Sequence, residues 1–179
     1  MSNVILVNNQ DEAIGERDKM DAHLGEGELH RAYTILVSNN RGEVLLQKRA
    51  KGKMLWPLFW EATCSSHQTQ GGKSENEQIK LAEKRLGEEM GFTCNLKLIS
   101  KFQYHNLYKN IGAEKELCWL LIGEWGGTVS PNPEEVVDYQ WVMPISLIEE
   151  IKQKPSDFAP WLFRALEIFI EKQKNENKS

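Results

Sequence analysis

The chain has 179 residues, of which 40% are apolar and 27% charged, and carries a formal net charge of −4. That length suits one domain over residues 1–179 with a core large enough to enclose a site, and the composition is that of a soluble globular protein. The acidic balance excludes a general nucleic-acid or anionic-membrane binder, so an anionic ligand must be gripped by a few local cations. The strongest apolar run, Leu117–Ile122, is far too short to span a membrane, and the opening residues lack the basic flank of a secretory signal; a cytoplasmic protein is expected. The three cysteines, Cys64, Cys94 and Cys118, form no CxxC pair, which favours reduced thiols over a disulfide framework.

In chain order, the apolar run within Asn3–Asn8 predicts a strand. Two β-rich runs, Ala32–Val37 and Val44–Gln47, flank the turn-rich SNNRGE and predict a hairpin. Lys51–Gly72 reads as irregular, with Trp56, Pro57, Phe59 and Trp60 crowded together as a candidate pocket wall. Ser74 and Glu77 make a capping box for a helix that runs to Met90 and ends at Gly91. Its apolar stripe is Ile79, Ala82, Leu86 and Met90; Glu89 falls at the edge of that stripe, able to look into a cleft, and Glu88 points to solvent. Strands follow at Lys97–Tyr104, Glu116–Trp125 and Val137–Met143, and helices at Ser146–Lys152 and Pro160–Glu171, before a polar tail that reads as a frayed helix end. Helices lying between and after strands predict an α+β domain with a mixed sheet.

Three of the four histidines, His23, His30 and His67, lie in polar or turn-rich segments. Glu114 and Glu116 flank Lys115 at a strand entrance, where alternation puts both acids on one face. Three imidazoles with two carboxylates suit a divalent Mg²⁺, Mn²⁺, Fe²⁺ or Zn²⁺ more than a thiolate-rich structural zinc, although loop histidines are more often plain surface residues. Lys19, Arg49 and Lys53, each an ordinary solvated cation when taken singly, together can hold a diphosphate beside a metal.

At Lys84–Phe92 the string KRLGEEMGF resembles the end of the Nudix signature, arginine-glutamate-aliphatic-x-glutamate-glutamate-x-glycine-aliphatic. Arg85 stands where the signature has its first glutamate, and Gly71 and Glu77 are out of its register. Hydrolysis of a diphosphate needs several helix carboxylates around its metals, so this departure counts against it. Taken in order, Lys19-x3-His23, His30, LLQKRAKGKMLWPLFW, CSSH, RLGEEMG, the EKE triplet, EEVVDYQW and FAPW resemble type I isopentenyl-diphosphate isomerase from about residue 3 to residue 170.

That resemblance implies a Nudix-like α/β/α sandwich and a monomer acting on a small prenyl diphosphate, interconverting isopentenyl and dimethylallyl diphosphate by protonation and deprotonation. It implies one divalent ion, Mn²⁺, Mg²⁺ or Zn²⁺, on His23, His30, His67, Glu114 and Glu116, and a Mg²⁺ bridging the substrate diphosphate through Glu89. Lys19, Arg49 and Lys53 match the diphosphate-binding cations and Ser66 a contact near the substrate. Trp161 matches an aromatic wall for the carbocation, and Glu116, helped by Tyr104, the proton donor on one face. On the other face the family's catalytic cysteine stands two residues before the histidine matching His67, where this chain has Ser65. Cys64 is one position early and in an extended segment faces the other way. An alkanol is a poorer acid or base than a thiol, so the resemblance implies the same reaction at a reduced rate. The alternatives are a Nudix-type diphosphate hydrolase and a non-catalytic diphosphate-binding paralogue.

Overall fold

The computed structural model describes residues 3–69 and 74–176; Gly71, Gly72 and the end of the polar tail lie outside them. In chain order the strands are β1 (Asn3–Val7), β2 (Ala13–Asp18), β3 (His30–Ser38), β4 (Val44–Arg49), β5 (Trp60–Glu61), β6 (Cys64–His67), β7 (Lys97–Tyr108), β8 (Gly112–Glu124) and β9 (Val136–Val142). The α-helices are α1 (Lys19–His23), α2 (Glu75–Met90), α3 (Pro144–Gln153) and α4 (Pro160–Glu176).

β3 is the hub of one mixed sheet. It runs parallel to β8, with His30 opposite Glu116 and Ala32 opposite Cys118, and antiparallel to β6, with Ala32 opposite His67 and Thr34 opposite Ser65. β7 closes the β8 side as a long hairpin. The expected hairpin between β3 and β4 forms but touches only at Ser38 and Val44; β4 then leaves to pair with β9 and β5. β8 is buried along most of its length, as a strand covered on both faces must be, and β7 alternates between exposed and half-buried.

Period-two alternation along β3 splits the core into two layers. Ile35 and Val37 pack with Trp119 and Leu121 under Ala82, Leu86 and Met90 of α2. Leu36, Leu46 and Leu120 pack on the opposite face under Leu147, Ile151, Leu162 and Leu166 of α3 and α4. The sheet therefore lies between one helix and a pair, the α/β/α arrangement expected. α2 begins with the reciprocal Ser74–Glu77 capping box and ends at Gly91 with φ 75°. A side chain there would also meet the Ser130 carbonyl oxygen at 2.1 Å, so glycine is required twice over.

Four elements differ from the sequence reading. β2 is almost wholly exposed and carries no apolar alternation, so nothing in its residues marks it as a strand. α1 is five residues long, too short to show a helical period, and is set by Asp18 accepting from the Met20 and Asp21 amides. β5 and β6 lie within the segment read as irregular, because strands of two and four residues fall below the length at which alternation is visible.

Candidate active site

The registers around β3 build the site. At one end of the sheet His30 starts β3, Glu116 stands beside it on β8, and His67 ends β6 opposite Ala32. Glu114 lies two residues before Glu116, hence on the same face. His23 arrives from α1, whose following residue Leu24 bridges to Gly112 at the start of β8. That approach depends on a glycine: a Cβ at Gly112 would stand 2.2 Å from the His23 carbonyl oxygen.

The ligand atoms of His23, His30, His67, Glu114 and Glu116 all lie within 4.8 Å of one another. His23 Nε2 is 2.9 Å from Glu114 Oε2 and 3.0 Å from His67 Nε2, and His67 Nε2 is 2.9 Å from Glu116 Oε1. His23 Nδ1 lies 2.5 Å from the Lys19 carbonyl and His30 Nδ1 2.7 Å from the Glu28 carbonyl. A carbonyl only accepts, so both Nδ1 atoms carry the hydrogen and both Nε2 atoms turn a lone pair inward. His30 Nε2 is buried without a hydrogen bond. Burial disfavours charge on His23, but Glu114 outweighs it and raises the imidazole's affinity for a proton. Burial also works against Glu114 and Glu116, yet the facing imidazoles hold both carboxyls below the ordinary range. The acids thus draw positive charge onto the cluster, and lone pairs and carboxylates this close are what a divalent cation neutralises.

The cluster forms one wall of a cavity of about 480 Å³ that Lys19, Lys53, Ser65, Tyr104 and Trp161 also line. The Tyr104 hydroxyl donates to Glu116 Oε2; burial, then the Glu116 charge, pushes that phenol far above its usual value, so it keeps its proton. Trp161 is 2% exposed, stacked on Tyr104 at 5.8 Å between centroids and met edge-on by Trp56 at 5.3 Å. Ser65 faces the cavity, while Cys64, its neighbour in an extended strand, is fully buried in the layer beneath α2. Ser66 alternates to the Cys64 side, opposite Tyr33 in the β3–β6 register, and still borders the cavity.

A NUDIX domain model matches residues 28–162. An isopentenyl-diphosphate Delta-isomerase of Halorhodospira halophila is 35% identical over 93% of this chain and 94% of its own. An isopentenyl-diphosphate Delta-isomerase 2 of Photorhabdus laumondii is 39% identical over 88% of this chain and 86% of its own. The chain belongs to the isopentenyl-diphosphate Delta-isomerase family. Among solved structures, a protein of Deinococcus radiodurans superposes with a TM-score of 0.72 over 92% of this chain and 97% of its own, at 17% identity, a likeness of fold alone.

The remaining residues that the isomerase resemblance singled out are spread around this cavity. Arg49 lines it, but each guanidinium nitrogen already has a partner: Nη1 donates to both Glu61 oxygens at 3.0 Å, Nε to the Trp56 carbonyl and Nη2 to the Leu55 carbonyl. Lys53 is paired with Glu135. Burial, with Lys53 and Arg85 close by, lowers the Lys19 ammonium against the pull of Glu114 and Glu116.

Glu89 does not look into the open cleft expected of it. It is 1% exposed, outside the five-residue cluster, taking hydrogen bonds from Gln47 at 3.0 Å and Arg85 at 2.6 Å. Position 89 falls on the face of α2 that packs toward β4, so helix burial claims it. Arg85 and Glu135 were not singled out as site residues. Arg85 bridges Glu89 and Glu135, which joins α2 to the Lys53 end of the cavity. The departure of Arg85 from the signature was the visible signal.

Proposed function

We propose that the chain interconverts isopentenyl and dimethylallyl diphosphate, as a single-domain cytoplasmic monomer whose partner is a small prenyl diphosphate. The observation that supports this most is the convergence of three histidines and two glutamates within 4.8 Å at the wall of a cavity that also carries cations and an indole. Those five residues would hold one divalent ion, Mn²⁺, Mg²⁺ or Zn²⁺, and a Mg²⁺ accompanying the diphosphate would take Glu89 only by displacing Arg85 from it. Such ions would supply fixed positive charge, ordering the two carboxylates and offsetting the diphosphate.

The chain's own residues perform the rest. Lys19 and Lys53 grip the diphosphate as point charges, Arg49, its nitrogens held by Glu61, Leu55 and Trp56, adds positive charge from the cavity wall, and Ser66 borders the diphosphate's path. Protonating an unactivated alkene creates a tertiary cation, so the site needs a donor, a base on the other side and a dry π-rich wall. Tyr104 holds a proton against Glu116 Oε2, and the pair delivers it on one face. Trp161 stabilises the cation without attacking it, an interaction worth about 2 kcal/mol when desolvated. Ser65 handles the proton on the other face in place of a thiol.

A hydrolase is not supported: of the α2 carboxylates at the signature positions, Glu88 is exposed and Glu89 is bound by Arg85. NMR of isopentenyl diphosphate with the protein and Mg²⁺ tests the reading. The expected product is dimethylallyl diphosphate. Release of phosphate would mean hydrolysis, and intact metal binding without exchange of substrate protons in D₂O would mean a non-catalytic paralogue.

A further inference from the structure

The sheet face that carries the site continues inward past the metal-type cluster, and the groups there are polar where a core strand is expected to be apolar. On β8, two residues beyond Glu116, the thiol of Cys118 is fully buried and donates to Thr34 Oγ1 at 3.3 Å. Thr34, also fully buried, lies opposite Ser65 in the β3–β6 register, its Oγ1 3.4 Å from Ser65 Oγ. Cys118, Thr34 and Ser65 thus stand on three adjacent strands, β8, β3 and β6, and share one face. Leu36 and Leu120, the next residues inward on that face, return to the apolar pattern. A buried hydroxyl costs stability unless it is hydrogen-bonded, and Thr34 Oγ1 has two partners, Cys118 and Ser65.

Their hydrogen bonds converge on Ser65. Thr34 Oγ1 is within reach of both Cys118 Sγ and Ser65 Oγ, and the thiol has a second acceptor in the Trp119 carbonyl at 3.8 Å. The Thr34 contact anchors Ser65 Oγ from the protein side at the wall of the cavity that it lines. We infer that Thr34, backed by Cys118, is a positioning residue that fixes the Ser65 hydroxyl in the rotamer that faces the substrate. This rests on the reading of Ser65 as the group that handles the proton on that face. A serine with no such neighbour would spread its hydroxyl over three rotamers, only one of which addresses the substrate.

The test is a double-mutant cycle with isopentenyl diphosphate. Thr34→Val keeps the shape and removes the hydroxyl, while the Cys118 thiol retains the Trp119 carbonyl as an acceptor. It should lower kcat about three- to ten-fold, the value of one hydrogen bond, with KM unchanged, and Thr34→Ser should restore most of the rate. In an S65A background the same T34V change should have no further effect, since Thr34 acts only through Ser65. Equal losses in both backgrounds would show a packing role and overturn the inference, as would a T34S protein as slow as T34V. An S65A protein as fast as the parent would instead remove the reading of Ser65 itself, and the inference with it.

Discussion

The placement of His23 hangs on one missing side chain, and restoring that side chain is a sharp perturbation. In Gly112→Ala the new Cβ would stand 2.2 Å from the His23 carbonyl oxygen and 3.2 Å from its carbon. A carbon–oxygen contact settles at about 3.3 Å or more, so the two backbones must part by roughly 1 Å. The neighbour is backbone, which cannot swing aside, and the shift falls on α1. His23 Nδ1 is tied to the Lys19 carbonyl within that helix, so the imidazole and Lys19 move together. Metal sites tolerate ligand displacements of about 0.2 Å; a move several times larger removes one imidazole from the set. Mn²⁺ titrated calorimetrically into metal-stripped protein should bind about 10- to 100-fold more weakly to G112A, and KM for isopentenyl diphosphate should rise because Lys19 shifts too. Gly126→Ala, where an added Cβ meets nothing within 4 Å, is the comparator and should bind as the parent does. Parent-like Mn²⁺ affinity in a natively folded G112A protein would refute the idea that this contact seats His23.

Three further outcomes follow from the site. Ser65→Cys should raise kcat by about ten-fold or more, because a thiol near its reference pKa exchanges protons that an alkanol does not; an unchanged rate in steady-state assays would assign that proton to another group. Glu116→Gln should lower kcat by about 100-fold or more in metal-loaded protein, and retention of most activity would exclude the Glu116–Tyr104 pair as the donor. Burial works against charge on Glu135, but Lys53 and Arg85 outweigh it and hold its carboxyl down at about 2. Since the unfolded chain takes up that proton nearer 4.5, the stabilisation is present above about pH 4.5 and is lost as pH falls toward 2. The urea midpoint of Glu135→Gln should therefore lie below that of the parent at pH 7, and the gap should narrow as pH falls from about 4.5 toward 2; a gap independent of pH would argue against the ion pairs.

What the residues announce and what they conceal divides along physical lines. α2 is legible because a capping box, an apolar stripe and a terminal glycine agree on one answer. β8 is legible through its apolar run, and the two acids of EKE fall on one face by alternation alone. Alternation also separates Ser65 from Cys64 with no structure in hand. β2 is concealed because an exposed edge strand needs no apolar residues, and α1 because one turn of helix is held by a cap and a neighbour rather than by its own period. Glu89 shows the deeper limit. Its helical phase is correct, but whether the face it occupies opens on solvent or on β4 depends on the packing of Gln47 and Arg85, which are remote in sequence from one another. Gly112 is concealed for the same reason: its need for glycine arises from a carbonyl 89 positions earlier, at His23.

Arg85 explains why this Nudix-type fold carries its metal-type cluster where it does. On α2 a carboxylate at position 85 would join Glu89 one turn away, and two acids on one helix face need only the helix to bring them together. Arginine at that position neutralises Glu89 at 2.6 Å and Glu135 at 2.7 Å instead, and Glu88 faces solvent, so neither signature glutamate stands open to the cavity. The donor cluster sits on the sheet, drawn from β3, β6, β8 and the end of α1. Such a set is assembled by register rather than by local spacing. A one-residue slip of β6 against β3 would turn His67 and Ser65 together to the α2 side and bring Cys64 and Ser66 forward. The proposed ligand His67 and the proposed proton-handling residue Ser65 are therefore locked to each other by the same pairing. Thr34, held between Ser65 and Cys118, lies in the middle of the strands whose alignment both require.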